Sequence, residues 1–307
     1  PGSAVIIGGG YIGVEMAEAL RERELDVQIV EMLPQIMPNF DEDMVQEVTK
    51  HIQEQGVSLH LNTRSTAIEP RRDGLAVVLE DGTEIPCDMV IVSVGVRPNA
   101  ELAEAAGLAL SAKGAIKVDD HMRTSAPDIY AAGDCVAYRH IVLDEDAWIP
   151  LAPSANKGGR IAGDNAAGGD SALPGILGTA VVKVFDYTMS TTGLTERAAK
   201  ESGKFGTAGE NVGAAAITAW DRGHYWPGAA KIKVKLVIDR STGKILGGQL
   251  VGKAGVNKRI DIIATAISAG LTIDQIGLLD LSYAPPYSPP YDPIQVCANV
   301  VEKQVNQ

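Results

Sequence analysis

The chain is poor in the residues that build metal, disulfide and triad chemistry. Its 307 residues hold three cysteines, Cys87, Cys135 and Cys297, and no two share a paired spacing. That excludes a readable C-x-x-C motif or disulfide framework, and it favours an intracellular, cytoplasmic setting. The five histidines, His51, His60, His121, His140 and His224, show no ligand or triad spacing. No run approaches the roughly 20 apolar residues that span a bilayer. No basic segment followed by an apolar one marks a signal peptide. Basic residues are outnumbered: the formal charge of −12 argues against nucleic-acid or anionic-membrane partners, which are held by Lys/Arg clusters. Internal repeats and low-complexity runs are absent too.

The acidic clusters Asp41-Glu42-Asp43 and Asp144-Glu145-Asp146 read as solvated helix starts or loops, not as metal sites, because a calcium loop needs alternating oxygens and a Gly turn. Hydrophobic residues make up 45% and charged residues 21%, which fits a globular chain of two or three domains. The sequence opens with Pro1-Gly2-Ser3 instead of methionine and enters a core strand at once, as a fragment would.

What is present is organised. Ala4–Ile7 reads as a short strand, Tyr11–Arg23 as a helix with Ile12, Met16, Ala19 and Leu20 in period, and Asp26–Glu31 as the next strand. This is a βαβ unit of about 30 residues. A helix follows over 41–55, with Asp41 as N-cap and Gly56 as stop. Short strands come next, with a hairpin turn at Glu80-Asp81-Gly82 and a buried-type strand at Met89–Val94. Val118–Asp134 reads as strand, loop, strand, and Leu151–Ala167 as a helix. The Gly/Ser/Pro-rich stretch 168–178 marks a domain boundary. Beyond it, strands at 179–185, 212–220, 232–238 and 245–251 precede helices at 258–269 and 272–278. That order predicts an α+β module after an α/β first half.

Two segments carry chemistry. In Gly8-Gly9-Gly10-Tyr11-Ile12-Gly13 the first glycine permits a tight strand-to-helix turn. Gly10 lets the backbone approach a pyrophosphate, and Gly13 lets helix and strand pack. Amides around Tyr11 and Ile12 would meet the diphosphate at the positive end of the helix. Glu31 ends the second strand, where an acid takes a ribose 2′-hydroxyl and repels a 2′-phosphate. The motif therefore predicts NAD, with NADH preferred over NADPH. Glu15 lies one turn past Tyr11 and reads either as a solvent-exposed residue or as a contact near the nicotinamide. The second segment, Thr124–Asp134, resembles the second half of a flavin site; in such a site Gly133 would admit the cofactor's backbone and Asp134 would hold its ribityl hydroxyls, and the bland alternative is a turn or N-cap Asp. Cys135 and Cys297 read as buried structural thiols, since nothing supplies a base or second cysteine. The run Tyr283-Ala284-Pro285-Pro286-Tyr287-Ser288-Pro289-Pro290-Tyr291 is a stiff extended loop presenting three tyrosines, either packed or facing an interface or ligand.

These residues together resemble the pyridine nucleotide–disulfide oxidoreductase family, in the branch of coenzyme A-disulfide reductases, NADH-dependent persulfide reductases and NADH oxidases or peroxidases. The resemblance rests on Gly8–Glu15 with Glu31, on Val94-Gly95-Val96-Arg97-Pro98-Asn99, on Thr124–Cys135 and on Leu151–Gly163. It rests also on Lys183-Val184-Phe185-Asp186 with Thr192-Gly193-Leu194-Thr195-Glu196, and on the Tyr-Ala-Pro-Pro-Tyr run. It implies a Rossmann-like NAD domain over 1–112, the returning part of an FAD domain over 113–172, and an α+β dimerisation domain over 173–307. It implies Ile12, Glu31, Phe40 and Gly95 at the NAD site, with Glu15 beside the nicotinamide. Asp134, Leu151 and Ala152 would contact FAD, and Tyr225 and the Tyr283 loop would reach a partner subunit's active site in a homodimer. The implied activity is FAD-dependent NADH:disulfide reduction on a small thiol or disulfide substrate, coenzyme A-linked or a persulfide.

The family's first FAD segment, with its own Gly-rich turn and catalytic cysteine, has no counterpart in these residues, so the chain alone is expected to be inactive. Three alternatives stand beside this reading: an NADH oxidase or peroxidase, a non-catalytic NAD-binding dimerisation module, and a simple NAD dehydrogenase.

Overall fold

Apolar residues that alternate along a strand are sorted to its two faces, and in β1 (Ser3–Ile7) that sorting builds the first core. The computed structural model describes residues 2–304. After β1 come α1 (Tyr11–Arg21), β2 (Asp26–Val30), α2 (Glu42–Glu54), β3 (Val57–His60), β4 (Ser65–Arg71), β5 (Gly74–Leu79), β6 (Glu84–Cys87) and β7 (Met89–Val92). Four of the strands form a parallel sheet in the order β3-β2-β1-β7, with β1 inside. Ala4 and Ile6 point toward α1 and α2 and pack with Val14, Ala17, Val27, Ile29, Val48 and Ile52. Val5 and Ile7 point the other way, where the antiparallel sheet β4-β5-β6 covers them with Val77, Leu79, Ile85 and Cys87. β1 is therefore buried on both faces, as a parallel strand must be. Ile6→Ala would cost about 2–5 kcal/mol.

The second region starts with α3 (Glu101–Ala105), β8 (Ile116–Lys117), β9 (Val136–His140), β10 (Glu145–Ala147) and α4 (Ala152–Ala166). Its sheet has three short strands in the order β10-β9-β8. Here the structure departs from the sequence reading. Residues 118–134 hold no strand, only an isolated bridge between Arg123 and Tyr130. The segment reads as a strand because Ile129-Tyr130-Ala131 is apolar, yet among the described residues no neighbouring strand accepts its ladder. The strand forms at 136–140 instead, and Asp134 lies in the turn before it.

The third region is a five-stranded antiparallel sheet with helices. It contains β11 (Ala180–Val184), β12 (Tyr187–Gly193), α5 (Glu196–Glu201), β13 (Val212–Trp220), β14 (Lys231–Asp239) and β15 (Ile245–Gly252). Three helices follow: α6 (Val256–Ser268), α7 (Ile273–Gly277) and α8 (Pro293–Glu302). The strand order is β11-β12-β15-β14-β13. Ile232, Val234, Leu236 and Ile238 alternate along β14 toward Ile260, Ile263, Ile294 and Val301 of α6 and α8. The sequence reading has no counterpart for α8, although its signal is present. Asp292 and Gln295 make a reciprocal capping box, and Pro293 sits in the first turn, where a missing N–H costs nothing.

The α+β character of this region and the α/β character of the first match the sequence reading. Val182, Val184, Met189 and Val251 join the core of α1 and α2, so the first and third regions share one apolar cluster. Among the described residues, no helix is long and apolar enough to cross a membrane.

Candidate nucleotide and aromatic sites

The turn between β1 and α1 is built so tightly that only glycine fits it. Gly8 has φ +107°, and a Cβ there would lie 2.3 Å from the Ser93 carbonyl oxygen at the end of β7. A Cβ on Gly13 would lie 2.0 Å from the Gly8 carbonyl oxygen. At Gly10 the situation reverses: a Cβ would meet nothing within 4 Å, so the space over the turn is open. Gly10 is the N-cap of α1 and offers no side-chain cap. The first-turn amides of Tyr11, Ile12 and Gly13 therefore face that space as an anion site at the positive helix end. The turn sits at the carboxyl ends of the parallel strands, where the order steps from β2 through β1 to β7, the crevice in which such sheets bind ligands.

Glu31 follows β2 and is only 6% exposed. Its Oε2 accepts from the Gly9 amide at 2.7 Å and its Oε1 from the Leu33 amide at 2.8 Å. A carboxylate has about four lone-pair sites, so each oxygen keeps one for a further donor. Two hydroxyls of a ribose fit that remaining capacity; a 2′-phosphate, with no proton to donate and like charge, does not. Ile12 is exposed at the mouth of the turn, and so are Met32, Leu33, Val94 and Val96. They come from the first turn of α1 and from the loops that follow β2 and β7.

Glu15 is exposed, one turn along α1. Gly95 has φ +99° with open space where a Cβ would be, in the loop after β7. Phe40 is placed differently: it is fully buried, and its ring meets Tyr11 edge-on at a centroid distance of 6.4 Å. It supports Tyr11 from beneath and presents no surface. Burial pushes the Tyr11 phenol up to about 12, against an opposing hydrogen bond with Asn39, so the hydroxyl keeps its proton at neutral pH.

The second glycine turn is more open. Gly133 has φ +101°, and a Cβ there would meet nothing within 4 Å. Its amide donates to the Tyr138 hydroxyl at 3.0 Å. Tyr138 is in turn wedged against Gly158 of α4, where a Cβ would lie 2.5 Å from its hydroxyl oxygen. Asp134 is exposed, with its carbonyl taken by Trp148 Nε1 at 2.7 Å. Leu151 caps α4 without a side-chain bond, and Ala152 opens the helix; with Pro153 lacking an N–H, the free amides of this first turn are those of Ala152 and Ser154. An Asp carboxylate, a glycine with room above it and an open helix start are compatible with a polyhydroxyl, diphosphate-bearing cofactor lying along this face.

A third cluster lies in the last region. Tyr225 and Tyr283, 58 positions apart in the chain, are brought together by the fold, and desolvation, followed by the neighbouring Tyr225, holds the Tyr283 phenol above its ordinary range. The Tyr-Pro loop is anchored from behind: Pro285 O accepts from the Gly223 amide at 3.1 Å, and Ser288 Oγ donates to Ser282 O at 2.9 Å. Its tyrosines stay exposed, and Tyr283, Tyr287, Ser282, Ala284 and Lys258 line a shallow hollow of about 290 Å³.

Other residues had no sequence signal. Asp41, read as the N-cap of a solvated helix start, stands at the N-cap position of α2, but it is 6% exposed and makes no side-chain cap bond to its own helix. Its carboxylate instead accepts from the Glu196 and Arg197 amides at the start of α5, from Gln249 Nε2 at 2.6 Å, and faces Lys235 Nζ at 3.1 Å. Burial works against its charge most strongly, but Lys235, Gln249 and the two amides outweigh it and hold the carboxyl below its usual range. Only folding brings α2 to α5, which is why spacing could not reveal it.

Known proteins carry the same arrangement. A family model described as pyridine nucleotide-disulphide oxidoreductase matches residues 1–159, and one described as the dimerisation domain of the same family matches 179–292. The chain is 39% identical over 299 residues to an NAD(P)H sulfur oxidoreductase (CoA-dependent) of Pyrococcus furiosus, covering 97% of this chain and 66% of that protein. It is 32% identical over 292 residues to a coenzyme A disulfide reductase of Staphylococcus haemolyticus, covering 94% of this chain and 63% of the relative. The solved structure of an NAD-dependent persulfide reductase from A. fulgidus superposes with a TM-score of 0.93 at 42% identity, over 99% of this chain and 56% of that one. The chain thus spans about two thirds of the length of the curated relatives it matches. With the glycine turn, the open second turn and the antiparallel module in the family's order, and with both family models matching in turn, the chain belongs to the pyridine nucleotide-disulphide oxidoreductase family.

Proposed function

We propose that this chain supplies the NADH site and the dimer-forming module of an FAD-dependent NADH:disulfide oxidoreductase. The observation that carries this reading is the Glu31 carboxylate, fixed by the Gly9 and Leu33 amides with one acceptor site spare on each oxygen, beside the uncapped start of α1. It favours NADH over NADPH. Ile12, Gly95 and Glu15 would flank the dinucleotide, with Phe40 acting through Tyr11. FAD would lie against Gly133, Asp134, Leu151 and Ala152 and supply the two-electron relay between nicotinamide and sulfur. The regions divide as 1–112, 113–172 and 173–307; Ala100 and Ala103, which pack with Ile116 and Val136, draw the first boundary toward α3.

The substrate is a small thiol, persulfide or disulfide, coenzyme A-linked, in keeping with the sulfur-reducing relatives. The assembly is a homodimer in which the Tyr225–Tyr283 pair faces the partner subunit's reaction centre. The test is a titration of the chain with NADH and NADPH, followed by nicotinamide fluorescence. Saturable NADH binding with weaker NADPH binding supports the reading, and equal affinity for both sinks the role of Glu31. NADH consumption that needs oxygen, with no response to coenzyme A disulfide or persulfide, would move the activity to the NADH oxidase side of the family.

A further inference from the structure

The loop from Met32 to Phe40 shapes the Glu31 site, yet its far end is held by the dimerisation module. On its near side, the Met37 amide donates to Gly9 O at 2.8 Å, and Ile36 is fully buried against Gly9, where a Cβ would lie 2.9 Å from Ile36 Cγ2. Gln35 Nε2 braces the loop internally, donating to Phe40 O at 3.0 Å. On its far side the partners all come from residues 195–249. The Arg197 guanidinium donates to Pro38 O. Gln249, fully buried, grips Asp41 at two points: its Oε1 accepts from the Asp41 amide at 2.8 Å and its Nε2 donates to the carboxylate. Lys235, also buried, neutralises the junction from 2.9 Å to both Asp43 and Glu196. A buried amide that satisfies donor and acceptor on one residue leaves both unpaired if that residue moves, so the loop end cannot drift cheaply.

We propose that Gln249 and Arg197 are positioning residues for the dinucleotide: the dimerisation module sets the loop on which the adenosine-ribose contact at Glu31 is formed. The proposal rests on the reading of the first glycine turn as an NADH site. A structural role alone would lower the folded fraction and add independently to the loss of Glu31. Positioning through Glu31 instead predicts non-additivity. The experiment is a double-mutant cycle on the chain, with the NADH dissociation constant measured well below each variant's melting temperature.

Arg197→Ala, at an exposed position where folding is retained, should raise the constant about threefold, and Gln249→Ala about tenfold. Arg197→Lys, which keeps a donor, should restore most of the loss. In the Glu31→Ala background neither substitution should weaken binding further. Unchanged affinity in Arg197→Ala and Gln249→Ala while the parent chain binds NADH, or fully additive losses, would overturn the positioning role alone. A parent chain that binds no NADH would overturn the nucleotide reading and this proposal with it.

Discussion

The two glycine turns look alike in one dimension and differ in what stands behind them. Gly8 is pressed against Ser93 at the end of β7, and Ser93 Oγ lies within 3.1 Å of both the Ile7 and Gly8 carbonyl oxygens. The turn is thus locked between two strands of a sheet buried on both faces. Gly133 precedes the central strand of a three-stranded sheet, and the apolar segment before it finds only an isolated bridge. Its amide is satisfied by one phenol, Tyr138. A glycine motif becomes a rigid cradle when neighbouring strands satisfy its backbone; without them the same residue type makes a looser turn held by side chains.

The largest test of that contrast is Gly13→Ala. Its Cβ would overlap the Gly8 carbonyl, so NADH binding should fall by more than about a hundredfold or the chain should fail to fold, read by nucleotide titration beside circular dichroism. A variant that binds as the parent does would mean the turn is not the rigid element described.

Acid should separate the two regions. His140, at the end of β9, is buried, and burial alone pulls its pKa down to about 4. Its Nδ1 accepts from the Val142 and Leu143 amides, a bond that the protonated ring cannot make. Because the folded value lies below the unfolded one, this stability is whole above pH 6.5 and is lost as pH falls toward 4, by up to about 3 kcal/mol. Hydrogen exchange should show β8–β10 opening in that window before β1–β3, and His140→Asn should flatten the dependence. Identical loss in both regions would defeat the contrast.

Glu31→Ala should weaken NADH about ten- to hundredfold while NADPH changes much less, as expected when a charge-assisted acceptor is removed. Parallel losses for both nucleotides would move the ribose contact elsewhere. The smallest effect belongs to the second turn. Gly133→Ala places an L residue at φ +101° in open space and should cost about 1–2 kcal/mol of stability with NADH affinity unchanged. A loss of NADH binding there would show the two turns to be coupled.

Much of the first region was legible because its signals are local. The glycine spacing, the helical period after Tyr11 and the acid after β2 all act within one βαβ unit, and the structure forms that unit within two residues of the expected boundaries, with the helix ending at Arg21 and the second strand at Val30. The hairpin at Glu80-Asp81-Gly82 followed from turn chemistry alone, with Gly82 at φ +86°. What failed was what depended on absent or distant neighbours. Ile129-Tyr130-Ala131 has strand composition, but a strand exists only when another accepts its hydrogen bonds. α8 carried a clear capping box that the proline-rich run beside it obscured.

By itself the sequence determined the first glycine turn, the acid that follows β2 and the change from α/β to α+β, because each is written in periodicity and in residues whose backbone needs are unique. Only the tertiary structure decided that Phe40 lies beneath Tyr11 instead of at the surface and that Tyr225 meets Tyr283. It likewise decided that Asp41 joins α2 to α5 through Gln249 and Lys235. Those contacts join residues 29 to 208 positions apart or are set by burial, and no local pattern encodes which distant partner will satisfy a buried charge.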